Sequence, residues 1–500
     1  MRTMMRSRGA SLCLAVMLCL APGLTAAAAD SAEVLDRSSQ ADMSSLEAMC
    51  LDGHPSLALR TAQALLEAAV SASLDGPGQP GRQDVPALLS LLGRMHDAVA
   101  EYDAGGVAHR LALDNATALH GPGNPALIPY LAALAVHHIH IMEFGEASRW
   151  FETAVGVVRQ ALGPSHLNAQ AFHSALASLA LQQQDLDAAA DNATRALNLV
   201  SEHLWPEHPA RIRALGMLGA VALQRREPGT ARRLLDEAVQ LGTAVLGAHH
   251  PEVLQFQLLQ AGARAQAGDL DAAAVLARET LRLSLDAWGP AWPRLVMQGH
   301  AWPVVEALHR AGRLEEAIAL QRMRLALWDA AGLARHLGRE EDRLRLATLL
   351  LETRQHAQEA LEILSGLLAP SAWDRLLLMH SPAMLAVFEA DLAARVALAR
   401  ALAQSQAQEQ GQAQAQAQAL VDAVSRHLPN WPAVQARQGS LFPATPEGTE
   451  LRRLQALRLR MQLEGPQGVP LAVYTRRLER IHDRLAALDS TGGVGWLASP

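Results

Sequence analysis

The chain has 500 residues, half of them apolar but only 4 % aromatic, and a net charge of −7. This balance suits alanine- and leucine-rich helix pairs and excludes a large mixed core built on aromatic side chains. The acid excess argues against nonspecific nucleic-acid binding, which needs a basic face, and leaves local patches open; with no lysine present all 43 basic residues are arginine.

The first 29 residues read as an export signal. Arg2, Arg6 and Arg8 form a basic start, Leu12 to Leu20 a short apolar run, and Pro22-Gly23 a break. Ala27-Ala28-Ala29 before Asp30 then offer a small-x-small cleavage site. The run is short for a membrane span, so the expected location is the periplasm or the exterior, with an uncleaved anchor as the alternative. Cleavage leaves Cys50 as the one cysteine, which cannot form an intrachain disulfide, and the loss of three arginines brings the net charge to −10. Residues 30–45 are polar and read as loose. Leu46 to Leu74 read as an irregular helix pair turning at Gly53-His54-Pro55, so that residues 30–85 form an N-terminal helical segment.

The middle of the chain is organised by a fixed period. Leu162-Gly163-Pro164-Ser165-His166, Leu204-Trp205-Pro206-Glu207-His208-Pro209, Leu246-Gly247-Ala248-His249-His250-Pro251 and Trp288-Gly289-Pro290-Ala291-Trp292-Pro293 each begin 42 positions after the one before. A period in this range is the mark of a repeat architecture. Ala147, Ala189, Ala231 and Ala273 keep the same spacing, as do Ala154, Ala196 and Ala238, with Thr280 next in line. Leu134, Leu176 and Leu218 hold a third register that Gln260 breaks. One unit therefore reads as helix, short turn, helix, with alanine on the second helix letting the backbones approach. Pro209, Pro251 and Pro293 stand where each next helix begins, a position that tolerates the missing N–H. The repeat region spans 86–370, its period loosening after Pro293 as terminal repeats adapt.

Residues 371–427 read as a further helix pair, opened by Ser381-Pro382, with an alternating Ala/Gln segment. Pro429, Pro432, Pro443 and Pro446 mark a linker over 428–449. Two amphipathic helices then fill 450–488. Leu451 to Leu485 carries Arg452, Arg453, Arg458, Arg460, Arg476, Arg477, Arg480 and Arg484 against Glu464, Glu479 and Asp483. The two helices read either as a cap with a solvated basic face or as a surface for an anionic membrane. Residues 489–500 read as a tail.

The Leu246-Gly247-x-x-His250-Pro251 turn and the Ala267-to-Ala273 stretch resemble tetratricopeptide repeats, in particular the 42-residue kind of kinesin light chains. The resemblance covers roughly residues 86–330. It implies an all-α, right-handed superhelical solenoid of antiparallel helix pairs, here with a C-terminal helical cap. It further implies a concave face that binds a peptide or protein, and no catalysis. The lining departs from that family: Ser174-Ala175, Gly216-Met217 and Leu258-Leu259 stand where an asparagine pair often precedes the marker leucine. This smaller, more apolar lining points to a helical or apolar segment as ligand.

Three sets of polar residues invite a site. His166, His208 and His250 lie a repeat apart, too far to share an ion, and read as turn packing. His137, His138 and His140, with His173 from the next repeat, could ligate a transition metal, but no carboxylate or cysteine at a suitable spacing completes them, so they read as ordinary histidines and no metal or cofactor is expected. In the resembled fold, residues six beyond each marker face the groove: His140, Gln182, Gln224 and Gln266, with Arg213 and Gln255 able to add contacts. Their amides suit a peptide backbone, though the same ladder also reads as a solvated face. There is no Gly-x-Ser-x-Gly, no phosphate loop with lysine and no His-Glu-x-x-His. The expectation is a non-enzymatic protein-binding scaffold. The alternatives are a regulatory or targeting subunit of a separate protease or kinase, or an envelope-structural protein working through its C-terminal arginines.

Overall fold

The computed structural model describes residues 37–74, 84–141, 143–288, 300–330, 337–353, 356–368, 445–464 and 471–492. The signal segment, the fourth turn mark after Trp288, the Ala/Gln segment and most of the proline-rich linker lie outside them. All regular structure among the described residues is helical. In chain order the helices are α1 (Arg37–Leu51), α2 (Pro55–Leu74), α3 (Asp84–Ala98), α4 (Tyr102–His120), α5 (Ile128–His140), α6 (Phe144–Ala161), α7 (Ala169–Gln182), α8 (Leu186–His203) and α9 (Pro209–Gln224). Beyond these come α10 (Pro228–Leu246), α11 (Pro251–Gln266), α12 (Leu270–Trp288), α13 (Trp302–Arg310), α14 (Leu314–Ala330), α15 (Leu337–Glu352), α16 (Ala357–Leu368), α17 (Pro446–Glu464) and α18 (Leu471–Gly492). The chain divides into two compact units, one of residues 15–221 with 443–500 and the other of residues 222–442 with 1–14.

In the first unit α3 packs on α4, α5 on α6 and α7 on α8, each pair closed by a short turn. The first helix of each pair is buried on almost every side, whereas the second keeps a polar outer face. The alanine registers explain the close fit: Ala147, Ala154, Ala189 and Ala196 are wholly buried, as are Ala231, Ala238, Ala273 and Thr280 in the other unit. Phe151 and Phe172 fill the space between α6 and α7, their rings 6.0 Å apart.

The turns also follow from local chemistry. Pro209 and Pro251 open α9 and α11 as expected. The repeating histidines brace the turns that lead into the helices: Nδ1 of His166, His208 and His250 accepts the backbone N–H of Asn168, Ala210 and Glu252 at 3.2, 3.1 and 3.3 Å, His250 as the N-cap of α11. Within pairs, Gln184, Arg226 and Gly268, one period apart, all take the left-handed conformation, with φ of 61°, 61° and 91°. Only glycine adopts it without steric cost. Arg226→Gly should therefore raise stability by about 0.5–1 kcal/mol, read as a higher urea midpoint.

Three sequence expectations shift. Helix α1 begins at Arg37, inside the stretch read as loose, because Leu46 and Cys50 give it a face to bury against Ala58, Leu59, Leu91 and Met95. Cys50 is buried and forms no disulfide among the described residues. Helix α17 begins at Pro446, within the predicted linker, with the Thr445 hydroxyl accepting the Gly448 N–H at 3.1 Å as a cap. Helix α18 runs to Gly492 rather than ending near 488.

Several of the C-terminal arginines pair with acids while Arg452, Arg476 and Arg480 stay exposed. Helix α17 packs on α2 and α3. Arg453 reaches Glu101 (2.7 Å), Arg477 and Arg480 reach Asp52 (3.0 and 3.1 Å), and Arg484 reaches Glu450 (3.1 Å). The pair thus caps the array at its first helices. Burial alone would raise the Glu101 carboxyl, but hydrogen bonds from His96 and Arg453 hold it down at about 2. A carboxylate with a depressed folded value stabilises the fold fully above its ordinary value of about 4.5, and this contribution disappears as pH falls toward 2. Amide-exchange protection of α17 should accordingly drop across that window before protection in α7 does.

In the second unit the core holds a charged knot. Asp342 on α15 is wholly buried. Its Oδ2 accepts from Arg324 Nη2 (2.7 Å) and Trp328 Nε1 (2.8 Å), and its Oδ1 from Arg345 Nη1 (3.0 Å). Gln321 donates to its backbone carbonyl (2.9 Å), and the Arg345 guanidinium lies 4.8 Å from the centre of the Trp302 ring. Burial would push the Asp342 carboxyl up, but Arg324 and Arg345 hold it below its ordinary value. No described helix is long and apolar enough to cross a membrane.

Candidate functional site

The densest chemistry lies where the first repeats meet, between α3, α4 and α5. Asp97 sits on the last turn of α3, His109 in the middle of α4, and His137 and His140 three apart on one face of α5. The side chains are nearly sealed from solvent: 2 % exposed for Asp97, 1 % for His109, 4 % for His137 and 7 % for His140. An ionised carboxylate can only accept, so the facing ring nitrogens are donors. His109 Nε2–H donates to Oδ2 at 3.1 Å and His137 Nδ1–H to Oδ1 at 2.8 Å, while His140 Nδ1 lies 3.5 Å from Oδ2. Burial would raise the Asp97 carboxyl, but the three imidazoles hold it well below the usual carboxylate range. The other nitrogen of His109, Nδ1, is buried with no hydrogen-bond partner among the described residues.

Three helical glycines make room for this cluster. A Cβ on Gly93 would come within 2.6–2.7 Å of the His109 ring, one on Gly105 within 2.3 Å of Asp97 Oδ1, and one on Gly106 within 2.7 Å of His137 Nε2. A glycine inside a helix costs roughly 1 kcal/mol relative to alanine. Two successive glycines at the start of α4 are accounted for by the groups they seat.

The sequence register places His140 on a groove, but its side chain turns into this cluster instead. His173 does not join it: its Nδ1 pairs with Asn192 Oδ1 at 2.9 Å, and burial lowers its pKa. His138 pairs with Glu143 at 2.9 Å. The partners that complete the set, Asp97 and His109, come from the preceding pair and do not stand out in the sequence. A signal for Asp97 exists in the repeat register. His140 ends α5 and meets Asp97, 43 positions earlier; Gln266 ends α11 and donates through Nε2 to the Leu223 carbonyl, also 43 earlier, at 3.0 Å. In both cases the last residue of a first helix meets the penultimate residue of the preceding one.

The remaining groove positions are spread over both units. Gln182 is half-buried at the end of α7, and Gln224 and Gln266 are exposed at the ends of α9 and α11. Gln255 is half-buried, with Nε2 3.0 Å from Nε2 of His300. Arg213 is half-buried on α9 and, after burial itself, is a cause of the lowered pKa of His208.

One turn breaks its own pattern. Gly121, Gly163 and Gly247 hold φ of 86°, 105° and 93° at whole multiples of the period, and the slot between the last two is filled by Trp205. Its side chain is displayed to solvent, 60 % exposed, with its ring edge-on to His208 at 4.6 Å.

The fold defines an all-α protein of tetratricopeptide-like helical repeats. No family model matches the chain, and no curated protein matches it. Three solved structures are similar to it at low identity and low TM-score. BtubC (BKLC) from P. vanneervenii is 16 % identical over 46 % of this chain and 92 % of its own, with a TM-score of 0.40. A Rap protein complexed with competence and sporulation factor is 13 % identical over 81 % of this chain and 99 % of its own, with a TM-score of 0.39. Human IFIT1, crystallised as a dimer with PPP-AAAA, is 16 % identical over 94 % of this chain and 95 % of its own, also at 0.39.

Proposed function

We propose that this protein is a non-enzymatic scaffold, exported to the periplasm by its N-terminal segment, that holds a protein partner through an apolar or helical segment of that partner. The observation that carries this reading is Trp205. A tryptophan in a turn slot where the same repeat elsewhere uses glycine keeps 60 % of its surface in solvent although its ring meets His208 edge-on. Exposed aromatics of this kind serve as anchors in protein interfaces. A second surface, favoured by the exposure of Gln224 and Gln266 one period apart, is the amide ladder at the ends of the first helices. Photo-crosslinking in the native cell from positions 205 and 224 tests both. A single discrete polypeptide captured at 205 and lost with a neighbouring Pro206→Ala and His208→Ala pair supports the turn as the contact. Capture from 224 alone moves the contact to the ladder. No polypeptide from either position removes the scaffold reading, and a captured enzyme identifies the chain as a targeting subunit.

A further inference from the structure

We propose that Asp97, His109, His137 and His140 form a binding site for one first-row divalent transition-metal ion of the zinc class, which ties α3, α4 and α5 together. One ligand atom each from Asp97, His109 and His137 lies within 4.8 Å of the others, and Nδ1 of His140 adds a fourth at 3.5 Å from the same carboxylate. A tetrahedral centre with bonds of about 2.0–2.1 Å sets neighbouring ligand atoms about 3.3 Å apart. The ring-to-carboxylate separations, 2.8 Å to Oδ1 and 3.1 and 3.5 Å to Oδ2, lie around that value. Gathering the ring nitrogens, which stand within 4.8 Å in the set of Asp97, His109 and His137, onto one ion takes ring rotation.

The donor set decides the class of ion. Imidazoles with a single carboxylate suit zinc, cobalt, nickel or copper, whereas magnesium and calcium take oxygen cages. The carboxylate offsets one of the ion's two charges in a site closed to water. Coordination requires each ring to carry its proton on the nitrogen remote from the ion. For His109 that nitrogen is Nδ1; it has no acceptor among the described residues, so its buried N–H is a cost that binding of the ion must offset. A carboxylate offers about four acceptor sites, so hydrogen bonding alone also accommodates three rings; the metal titration separates the two states, and the three glycines beneath the group seat the rings in either.

The test uses the full chain, stripped with a chelator and titrated with Co²⁺, then with Zn²⁺ in competition. The expected result is one tight equivalent, a visible Co²⁺ absorption band from nitrogen and oxygen ligands, and a higher Tm by circular dichroism. Asp97→Asn and His109→Gln should each weaken binding at least tenfold, while His173→Gln, a buried histidine outside the cluster, should leave it unchanged. Should a cluster variant fail to fold, the wild-type chain loaded with Cu²⁺ still decides, because pulsed EPR counts coordinated imidazoles. Two or three rings support the site. One ring or none, no tight equivalent, or a tight equivalent that survives both Asp97→Asn and His109→Gln would overturn it.

Discussion

Asp342→Ala is expected to destabilise the 222–442 unit by about 3–5 kcal/mol, the range for removing one partner of a buried ion pair. The size follows from what is left behind. Arg324 is wholly enclosed with its guanidinium aimed at Oδ2, Arg345 loses its acceptor at Oδ1, and Trp328 loses the acceptor of its ring N–H. Two cations would then face each other in the core with no carboxylate between them. Asp342→Asn should recover little, since an amide oxygen can accept but brings no charge. Replacing Asp342, Arg324 and Arg345 together by apolar residues should cost less than Asp342→Ala alone, because both guanidinium groups leave with the carboxylate and, among the described residues, only Glu341, 4.0 Å from Arg345, loses an ion-pair partner. Urea unfolding of the four proteins, followed by circular dichroism, orders them. A loss below about 1 kcal/mol for Asp342→Ala would show that the network is hydrated.

The second large effect lies at the glycines. Gly105→Ala is expected to cost about 2–3 kcal/mol, from overpacking and from the hydrogen bonds it displaces. The new methyl would stand 2.3 Å from Asp97 Oδ1 and 3.3 Å from the Gly93 carbonyl oxygen. The carboxylate cannot swing aside without leaving the hydrogen bonds of His109 and His137. Gly156→Ala in α6 supplies the contrast: nothing lies within 4 Å of its Cβ, so the change should stabilise by about 0.5–1 kcal/mol through helix propensity alone. Opposite shifts in the urea midpoint for two chemically identical substitutions would isolate the steric role of the cluster. Equal shifts would refute it.

The helix pairs are legible in the sequence because they repeat. Ala189 and Ala231 bury wholly because each sits at the closest approach of two helices, and a position with that duty returns every 42 residues. Pro209 and Pro251 are legible for a local reason, the missing N–H at a helix start. The histidine cluster is only half legible. His137 and His140 stand out as neighbours, but Asp97 and His109 belong to the preceding pair. There Asp97 falls three whole periods before Leu223, but a carboxylate at one position and a leucine at the other share no residue type that would mark the register. The docking of α17 and α18 leaves no sequence signal. Arg453 and Glu101 are 352 positions apart, and a bridge between such distant residues reflects where two surfaces meet, not any local pattern.

That separation bears on how the molecule comes into being. Translation at about 5–20 residues per second places roughly 20–70 s between the emergence of Glu101 and that of Arg453. Through this interval the earliest helices wait with Asp52 and Glu101 lacking the arginines that will neutralise them. The 222–442 unit is made in the meantime. A segment made late therefore completes a core made early, and a chain cut short after residue 442 would carry its repeats but leave the core around Leu59 and Leu91 without the cover that α17 supplies.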